Sequence, residues 1–144
     1  MPTLDDFGTV VEKYHEALGA FVKGNPETLQ ELYSHRDDVS LANAFGPPTR
    51  GWNHVTAAMG LAASVYREGE VVGFDAVAGG VTDELAYIVE VERYEVRVNV
   101  RATISPVSLR VTTIFRPEEG VWKVIHRHAD TITTARPAES VIQT

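Results

Sequence analysis

The apolar residues change their spacing once along the chain, close to Gly69, and this change limits the folds that the chain can adopt. Before Gly69 they recur every three or four residues, which is typical of helices with one buried face. After Gly69 they alternate with polar residues, which is typical of strands with one buried face. Helices followed by a run of strands predict an α+β protein with the helices on one face of a sheet.

Three helices are predicted before the change in spacing. They are residues 7–22, a short helix that begins at Asn25-Pro26-Glu27, and residues 52–66. Thr3 is the predicted N-cap of the first helix and Gly24 ends it, while Tyr33 belongs to the buried face of the second.

Five strands are predicted, two of them joined by a tight turn at Pro117-Glu118-Glu119-Gly120. The strands are residues 39–41, a strand from Val72 to a turn at Gly79-Gly80, and residues 85–92, 107–116 and 121–131. We therefore predict a curved antiparallel or mixed sheet wrapped around three N-terminal helices, with a pocket between them that is open at one end. Residues 1–132 form the single predicted domain, and 133–144 a polar and mobile tail.

Composition excludes several classes of function. The chain has 144 residues, no cysteine and a formal charge of −7. Thiol catalysis and disulfide scaffolds are therefore excluded, and nucleic acids and anionic membranes are unfavourable partners. The sequence contains neither a signal peptide nor an apolar run of about 20 residues, so we expect a cytoplasmic protein.

The last predicted strand carries the most informative polar residues. If alternation continues from Trp122 and Val124, then His126, His128 and Asp130 point into the pocket. Imidazole titrates near neutrality and a carboxylate can orient it, which favours proton transfer. The alternative is that the histidines are hydrogen-bonded core residues, or that a bulge turns one of them outward.

The same two histidines could ligate Zn²⁺ if the fold supplied a third ligand from Asp130, His54 or Glu92. The spacing alone is weak evidence, so we expect neither a metal nor a cofactor.

Two arginines have an uncertain orientation. Arg93 follows Tyr87, Val89 and Val91 on the predicted inner face, where it would bind an anionic group, pair with a carboxylate, or lie past a bulge in water. On the strand 107–116, Val111 and Phe115 predict that odd-numbered residues are buried and that Arg110 and Thr112 face outward.

Four residues outside the last strands are further candidates for ligand contact. Tyr14 lies on the apolar face of the first helix, Asn43 and Phe45 lie in the turn before the third helix, and Trp52 begins that helix. For each of them, an ordinary core or turn role is the alternative.

Four segments, in this order and spacing, resemble the SnoaL-like branch of the nuclear-transport-factor-2-like superfamily of cystatin-like α+β cones. They are residues 23–27, residues 38–46, Arg50-Gly51-Trp52 and residues 119–128. The resemblance extends from about Phe7 to Asp130. It implies a deep apolar pocket and a homodimer through the outer sheet face, but no single activity, because members include ketosteroid isomerase, scytalone dehydratase, polyketide cyclases and non-catalytic binders.

Alignment with ketosteroid isomerase argues against steroid isomerisation. The position of the general base holds Asn43, that of the oxyanion tyrosine holds Ala17, with Tyr14 one turn away, and that of the oxyanion acid holds Thr112. The same alignment places Arg110 and Thr112 inside the cone, opposite to the alternation argument.

SnoaL-like cyclases carry acid–base residues on the last strand, and His128 and Asp130 are the nearest equivalents here. The resemblance thus implies His128 as general acid or base, Asp130 as its partner, and Tyr14 and Asn43 as donors to a carbonyl or enolate oxygen. Arg93, Arg110, Thr112, Phe45, Trp52 and His126 are the remaining expected ligand contacts.

Three functions remain open from the sequence. The chain could be a cofactor-free isomerase, cyclase or lyase acting on a small apolar carbonyl compound. It could instead bind such a molecule without chemistry, or be a protein-interaction module with a filled core.

Overall fold

The computed structural model describes residues 6–100 and 103–143. Its three main helices are α1 (Phe7–Phe21), α2 (Glu27–Leu32) and α3 (Trp52–Ser64). All three were predicted, but α1 is capped by Asp6, whose carboxylate accepts a hydrogen bond from the Thr9 amide at 3.3 Å. The predicted cap, Thr3, lies outside the described residues.

Within the described residues, six strands form one mixed sheet that is not closed into a barrel. They are β1 (Ser40–Ala42), β2 (Thr49–Arg50), β3 (Tyr66–Val81), β4 (Ala86–Val98), β5 (Ser105–Glu118) and β6 (Val121–Asp130). Their order is β2-β1-β6-β5-β4-β3, and only β1 and β6 are paired in parallel. The predicted α+β cone is confirmed.

The strand β3 is longer than predicted. It begins at Tyr66, six residues before Val72, and continues through Gly79 and Gly80 to Val81. Three register shifts interrupt the pairing of β3 with β4. Because each shift disturbs the alternation of apolar and polar residues, the sequence pattern did not indicate a strand that begins at Tyr66.

The helices pack on the inner face of the sheet. Val10, Tyr14 and Leu18 of α1 belong to one buried cluster with Phe115 and Trp122 from the sheet. This packing covers one end of the sheet tightly.

The inward face of β4 is opposite to the predicted one. Glu90, Glu92 and Tyr94 are buried, while Tyr87 and Arg93 are exposed. The prediction assumed that glutamates face water, but both of these have cationic or ionisable partners inside the fold.

A β-bulge reverses the alternation of β6. Phe115 pairs with Val124 and Ile114 pairs with His126, so Ile125 is an extra residue on β6. Trp122 and Val124 are buried as predicted, but beyond the bulge the inward residues are Arg127 and Ala129. The predicted inward orientation of His126, His128 and Asp130 is therefore wrong.

The strand β5 follows the alternation predicted from its own residues. Val111, Thr113 and Phe115 are buried, and Arg110 and Thr112 lie on the opposite face. The alternative alignment that placed Arg110 and Thr112 inside the cone is wrong.

The chain beyond β6 forms a short 3₁₀ helix at Ala138–Val141. The boundary expected at residue 132 and the mobility expected of 133–144 stay predictions. Among the described residues, no helix is both long enough and apolar enough to cross a membrane.

Candidate functional site: an apolar cavity with a polar inner end

A cavity lies between the three helices and the inner face of the sheet. It contains about 600 Å³ of space not filled by atoms, the open solvent at its mouth included. Its wall is mainly aliphatic and includes Leu18, Leu29, Leu41, Met59, Val96 and Leu109.

The loop after β1 forms the mouth of the cavity. Asn43, Ala44 and Phe45 all line it, and Phe45 is 56% exposed. The Phe45 ring lies 6.3 Å from that of Tyr66, which lines the cavity from the start of β3. Asn43 and Phe45 therefore lie where they were predicted to contact a ligand, although their role in binding stays a prediction.

Arg127 supplies a charged group at the inner end of the cavity. Its two terminal nitrogens donate to the two carboxylate oxygens of Glu92, each at 2.7 Å. Arg127 lines the cavity and Glu92 is 0% exposed. Burial alone would lower the pKa of Arg127, but the charge and hydrogen bonds of Glu92, together with Tyr14 and Tyr33, outweigh burial and hold that pKa above its usual value. The guanidinium therefore stays protonated, and it forms an ion pair with the carboxylate of Glu92.

Two tyrosines complete this ion pair. Tyr94 donates its hydroxyl to Glu92 Oε1 at 2.7 Å, and Tyr14 accepts a hydrogen bond from Arg127 at 2.6 Å. The Tyr14 hydroxyl also lies 2.9 Å from Thr113 Oγ1. Burial raises the pKa of Tyr14 to about 12 and raises that of Tyr94 as well, so both hydroxyls stay protonated.

Tyr14 is thus buried at the predicted place on α1, but it is not among the residues that line the cavity. Its hydroxyl is already engaged by Thr113 and Arg127. The structure assigns it a supporting position behind the cavity wall.

The predicted acid–base pair lies on the outer face of the sheet. His128 Nε2 is 3.2 Å from Asp130 Oδ2, and the His128 side chain is 53% exposed. Arg110 binds the same carboxylate with two hydrogen bonds of 3.0 and 2.6 Å. Burial would raise the pKa of Asp130, but the hydrogen bonds from Arg110 help to hold it below its usual value. His128 and Asp130 are brought together as predicted, but not in the cavity.

Four other predicted contacts also lie away from the cavity. The guanidinium of Arg93 binds Asp75 at 2.6 Å on the outer face, and His126 is 2.7 Å from Ser40 Oγ. Thr112 on β5 pairs with His128 of β6. Trp52 stacks on His35 at the start of α3, with ring centres 3.9 Å apart. The homodimer through the outer sheet face stays a prediction.

A second buried carboxylate has a histidine partner. Glu90 lies 2.8 Å from His15 Nε2, and the His15 ring stacks on Phe74 at 3.7 Å. This contact joins α1 to β3 and β4. None of the three side chains lines the cavity.

Among the described residues, no cluster of three or more His, Asp or Glu side chains could share a metal ion. Of the ligands considered from the sequence, His126, His128 and Asp130 lie on the outer face of the sheet, Glu92 is buried on the inner face, and His54 lies on α3.

Sequence reasoning missed Arg127, Glu92 and Tyr94 as residues of the inner end. The sequence offered no clear signal, because both strands carry several other charged residues besides Glu92 and Arg127. The strand β5 separates β4 from β6, so the side chains of Glu92 and Arg127 must meet across β5. Their contact depends on the small Thr113 of β5, which lies opposite Arg127. To predict this contact, one needs the register between β5 and β6. The bulge at Ile125 shifts that register, and the sequence does not reveal the bulge.

The SnoaL-like domain family matches residues 9–132 of this chain. No curated protein matches the chain significantly.

Solved structures match over nearly the whole chain, at low sequence identity. A nuclear transport factor 2 (NTF2-like) superfamily protein from Salmonella enterica is 16% identical, with a TM-score of 0.71, and the match covers 91% of this chain and 98% of that one. A ketosteroid isomerase-like protein from Erwinia carotovora atroseptica is 14% identical, with a TM-score of 0.70 and coverage of 88% and 96%.

An uncharacterized protein with a cystatin-like fold from Caulobacter vibrioides is 20% identical, with a TM-score of 0.62 and coverage of 90% of each chain. At these identities the structural matches establish the fold alone. Together with the family match, they show that the chain belongs to the SnoaL-like domain family and has the NTF2-like, cystatin-like fold.

Proposed function

We propose that this protein binds a small, largely apolar molecule in the cavity between its helices and its sheet. One observation carries the proposal: an aliphatic wall that ends at a few polar groups, among them Arg127 and Tyr33. Such a combination buries the apolar body of a ligand and orients its single polar group.

Binding without chemistry is favoured over acid–base catalysis. The catalytic hypothesis required His128 or Asp130 to reach the cavity, and both lie on the outer face. Of the described residues that line the cavity, none is an aspartate, glutamate or histidine. Glu92 lies nearby, but both of its oxygens accept hydrogen bonds from Arg127. No general base therefore faces a bound molecule.

The cavity also argues against a protein-interaction module with a filled core. Leu18, Leu41 and Leu109 are buried residues that line a cavity, so the interior is not completely filled by side chains. Lining atoms next to a void lose dispersion contacts, so a cavity that only weakened the fold would be costly to keep.

Two neighbouring residues on β6 provide a matched test. Ala129 lines the cavity and His128 faces outward, so Ala129→Leu fills the cavity whereas His128→Leu places the same side chain outside. Thermal unfolding would be followed for the wild type and both variants with neutral aryl ketones, aryl carboxylates, steroids and aromatic polyketides.

A ligand at about 100 times its dissociation constant stabilises the protein by about 2.7 kcal/mol, or about 8 °C for a chain of this size. We expect such a shift for the wild type and His128→Leu, and a much smaller one for Ala129→Leu, each measured against the unliganded variant. Equal shifts in the two variants, or no shift in the wild type with any compound, would contradict the proposal.

A further inference from the structure

Tyr33 occupies an unusual position at the inner end of the cavity. It follows α2, lies beside Val124 of β6 through an isolated parallel bridge, and is held there by a 2.8 Å hydrogen bond from the Ser34 amide to the Val124 carbonyl. The residue is 1% exposed and its side chain lines the cavity.

The Tyr33 hydroxyl has no hydrogen-bond partner among the described residues. The two neighbouring buried tyrosines, Tyr14 and Tyr94, both have partners. A buried hydroxyl without a partner weakens a fold, and a phenylalanine at this site would fill the same space without that cost. The hydroxyl thus points to a partner that enters through the cavity.

The hydroxyl is a donor under all ordinary conditions. Burial raises the pKa of Tyr33 well above its usual value, and Tyr14 and Glu92 raise it further against the opposing charge of Arg127. A neutral phenol donates one hydrogen bond, so its natural partner in an apolar cavity is an oxygen that accepts one.

The neighbouring ion pair determines the charge of that acceptor. Arg127 uses three of its five N–H groups, two toward Glu92 and one toward Tyr14, and the remaining two have no acceptor among the described residues. Because Glu92 already neutralises Arg127, an added carboxylate would bring an uncompensated charge into the cavity. A neutral acceptor would not.

We infer that Tyr33 is a specificity-determining residue that donates its hydroxyl to a neutral carbonyl oxygen at the inner end of the bound molecule. This inference rests on the proposed function and narrows it to ligands with an apolar body and one carbonyl group. Arg127 lies beside the same oxygen as a second donor.

The test uses three naphthalenes that differ in one group. These are 2-acetylnaphthalene, which has a neutral carbonyl, 2-isopropenylnaphthalene, which has the same shape without an acceptor, and the anion 2-naphthoate. Their affinities for the wild type, Tyr33→Phe and the control Tyr14→Phe would be measured by naphthalene fluorescence, and the thermal stability of each unliganded protein by its unfolding midpoint.

We expect Tyr33→Phe to weaken 2-acetylnaphthalene by about tenfold and to change the affinity for 2-isopropenylnaphthalene by less than about twofold. The wild type should bind 2-naphthoate more weakly than 2-acetylnaphthalene. The unliganded Tyr33→Phe protein should unfold at the same temperature as the wild type or higher, whereas Tyr14→Phe should unfold at a lower one.

The outcomes separate the inference from the proposed function. If the wild type binds neither neutral naphthalene, the proposed function fails and the inference fails with it. If both bind but Tyr33→Phe weakens them equally or not at all, solvent serves the hydroxyl and only the inference is overturned. A wild-type preference for 2-naphthoate, or a clear loss of stability in Tyr33→Phe, would likewise overturn it.

Discussion

Arg127 and Glu92 are the residues whose pairing most affects the interior. The guanidinium and the carboxylate are both buried and joined by two hydrogen bonds of 2.7 Å. Removal of one partner leaves a buried charge without compensation, which typically costs about 3–5 kcal/mol.

We therefore predict that Arg127→Met lowers the free energy of unfolding by about 3–5 kcal/mol. The double variant Arg127→Met/Glu92→Leu should lose less than the two single variants added together, because it leaves no unpaired charge. Urea denaturation of all four proteins measures this coupling. Strict additivity would mean that the ion pair is not formed.

His126 provides a prediction for pH dependence. Partial burial, aided by repulsion from His128, lowers the pKa of His126 below its usual 6.5. Protonation then favours the unfolded chain. The contribution of His126 is fully present above pH 6.5 and is lost as the pH falls from 6.5 through the lowered pKa of the folded state.

The prediction is a smaller loss of stability in His126→Gln than in the wild type between about pH 7.5 and about pH 5.5. His128→Gln should show an intermediate loss, because it removes only the repulsion. Urea denaturation at both pH values provides the comparison. Identical losses in the wild type and His126→Gln would show that His126 does not titrate abnormally.

Single residues also explain where sequence reasoning reached its limit. The alternation of Val111 and Phe115 predicted the faces of β5 correctly, because this strand is regular and its buried residues are mostly apolar. The same reasoning failed for Glu92, because only the folded chain shows that an arginine from another strand compensates its charge.

At the scale of elements, one extra residue decides which side chains meet. Ile125 forms the bulge of β6, and all residues after it lie on the face opposite to the predicted one. Its neighbours are Val124 and His126, and there is no glycine or proline beside it that could have indicated a bulge. The predicted site of His128 and Asp130 was misplaced for this reason.

The contact between the end of α1 and the start of β3 is equally dependent on one residue. The Gly69 amide donates to the Val22 carbonyl at 3.1 Å, and a Cβ atom at Gly69 would lie 2.2 Å from that oxygen. A side chain therefore cannot be accommodated unless the backbone moves.

We predict that Gly69→Ala lowers the free energy of unfolding by about 1–3 kcal/mol. Gly73→Ala is the matched control on the same strand, because no atom lies within 4 Å of its added Cβ, and it should change stability by less than about 0.5 kcal/mol. Urea denaturation of both variants tests the pair. If Gly69→Ala were as stable as its control, α1 and β3 would not be held this closely.

For the whole molecule, the change of spacing near Gly69 and the three helical patterns were enough to predict an α+β arrangement with a cavity between the helices and the sheet. The resemblance to a known family added the cone. Asn43 and Phe45, at the mouth of the cavity, were also predicted as candidate ligand contacts. The position of their turn was predictable because few positions are open to a turn between β1 and α3. The polar inner end of the cavity was not predicted, because it depends on side-chain contacts between β4 and β6, which are not neighbours in the sheet.

Both faces of the sheet carry polar clusters, and we propose that the ligand binds at the inner face. A binding site between the helices and the sheet would involve Leu18, Leu109 and Ala129. A site on the outer face would involve Thr112 and the residues around His128.

The most direct measurement is methyl NMR of the wild type during titration with 2-acetylnaphthalene. The account predicts the largest chemical-shift changes at cavity methyl groups, those of Leu18, Leu109 and Ala129, with little change at the outer-face methyl of Thr112. Changes centred on Thr112, or no changes during the titration, would contradict it.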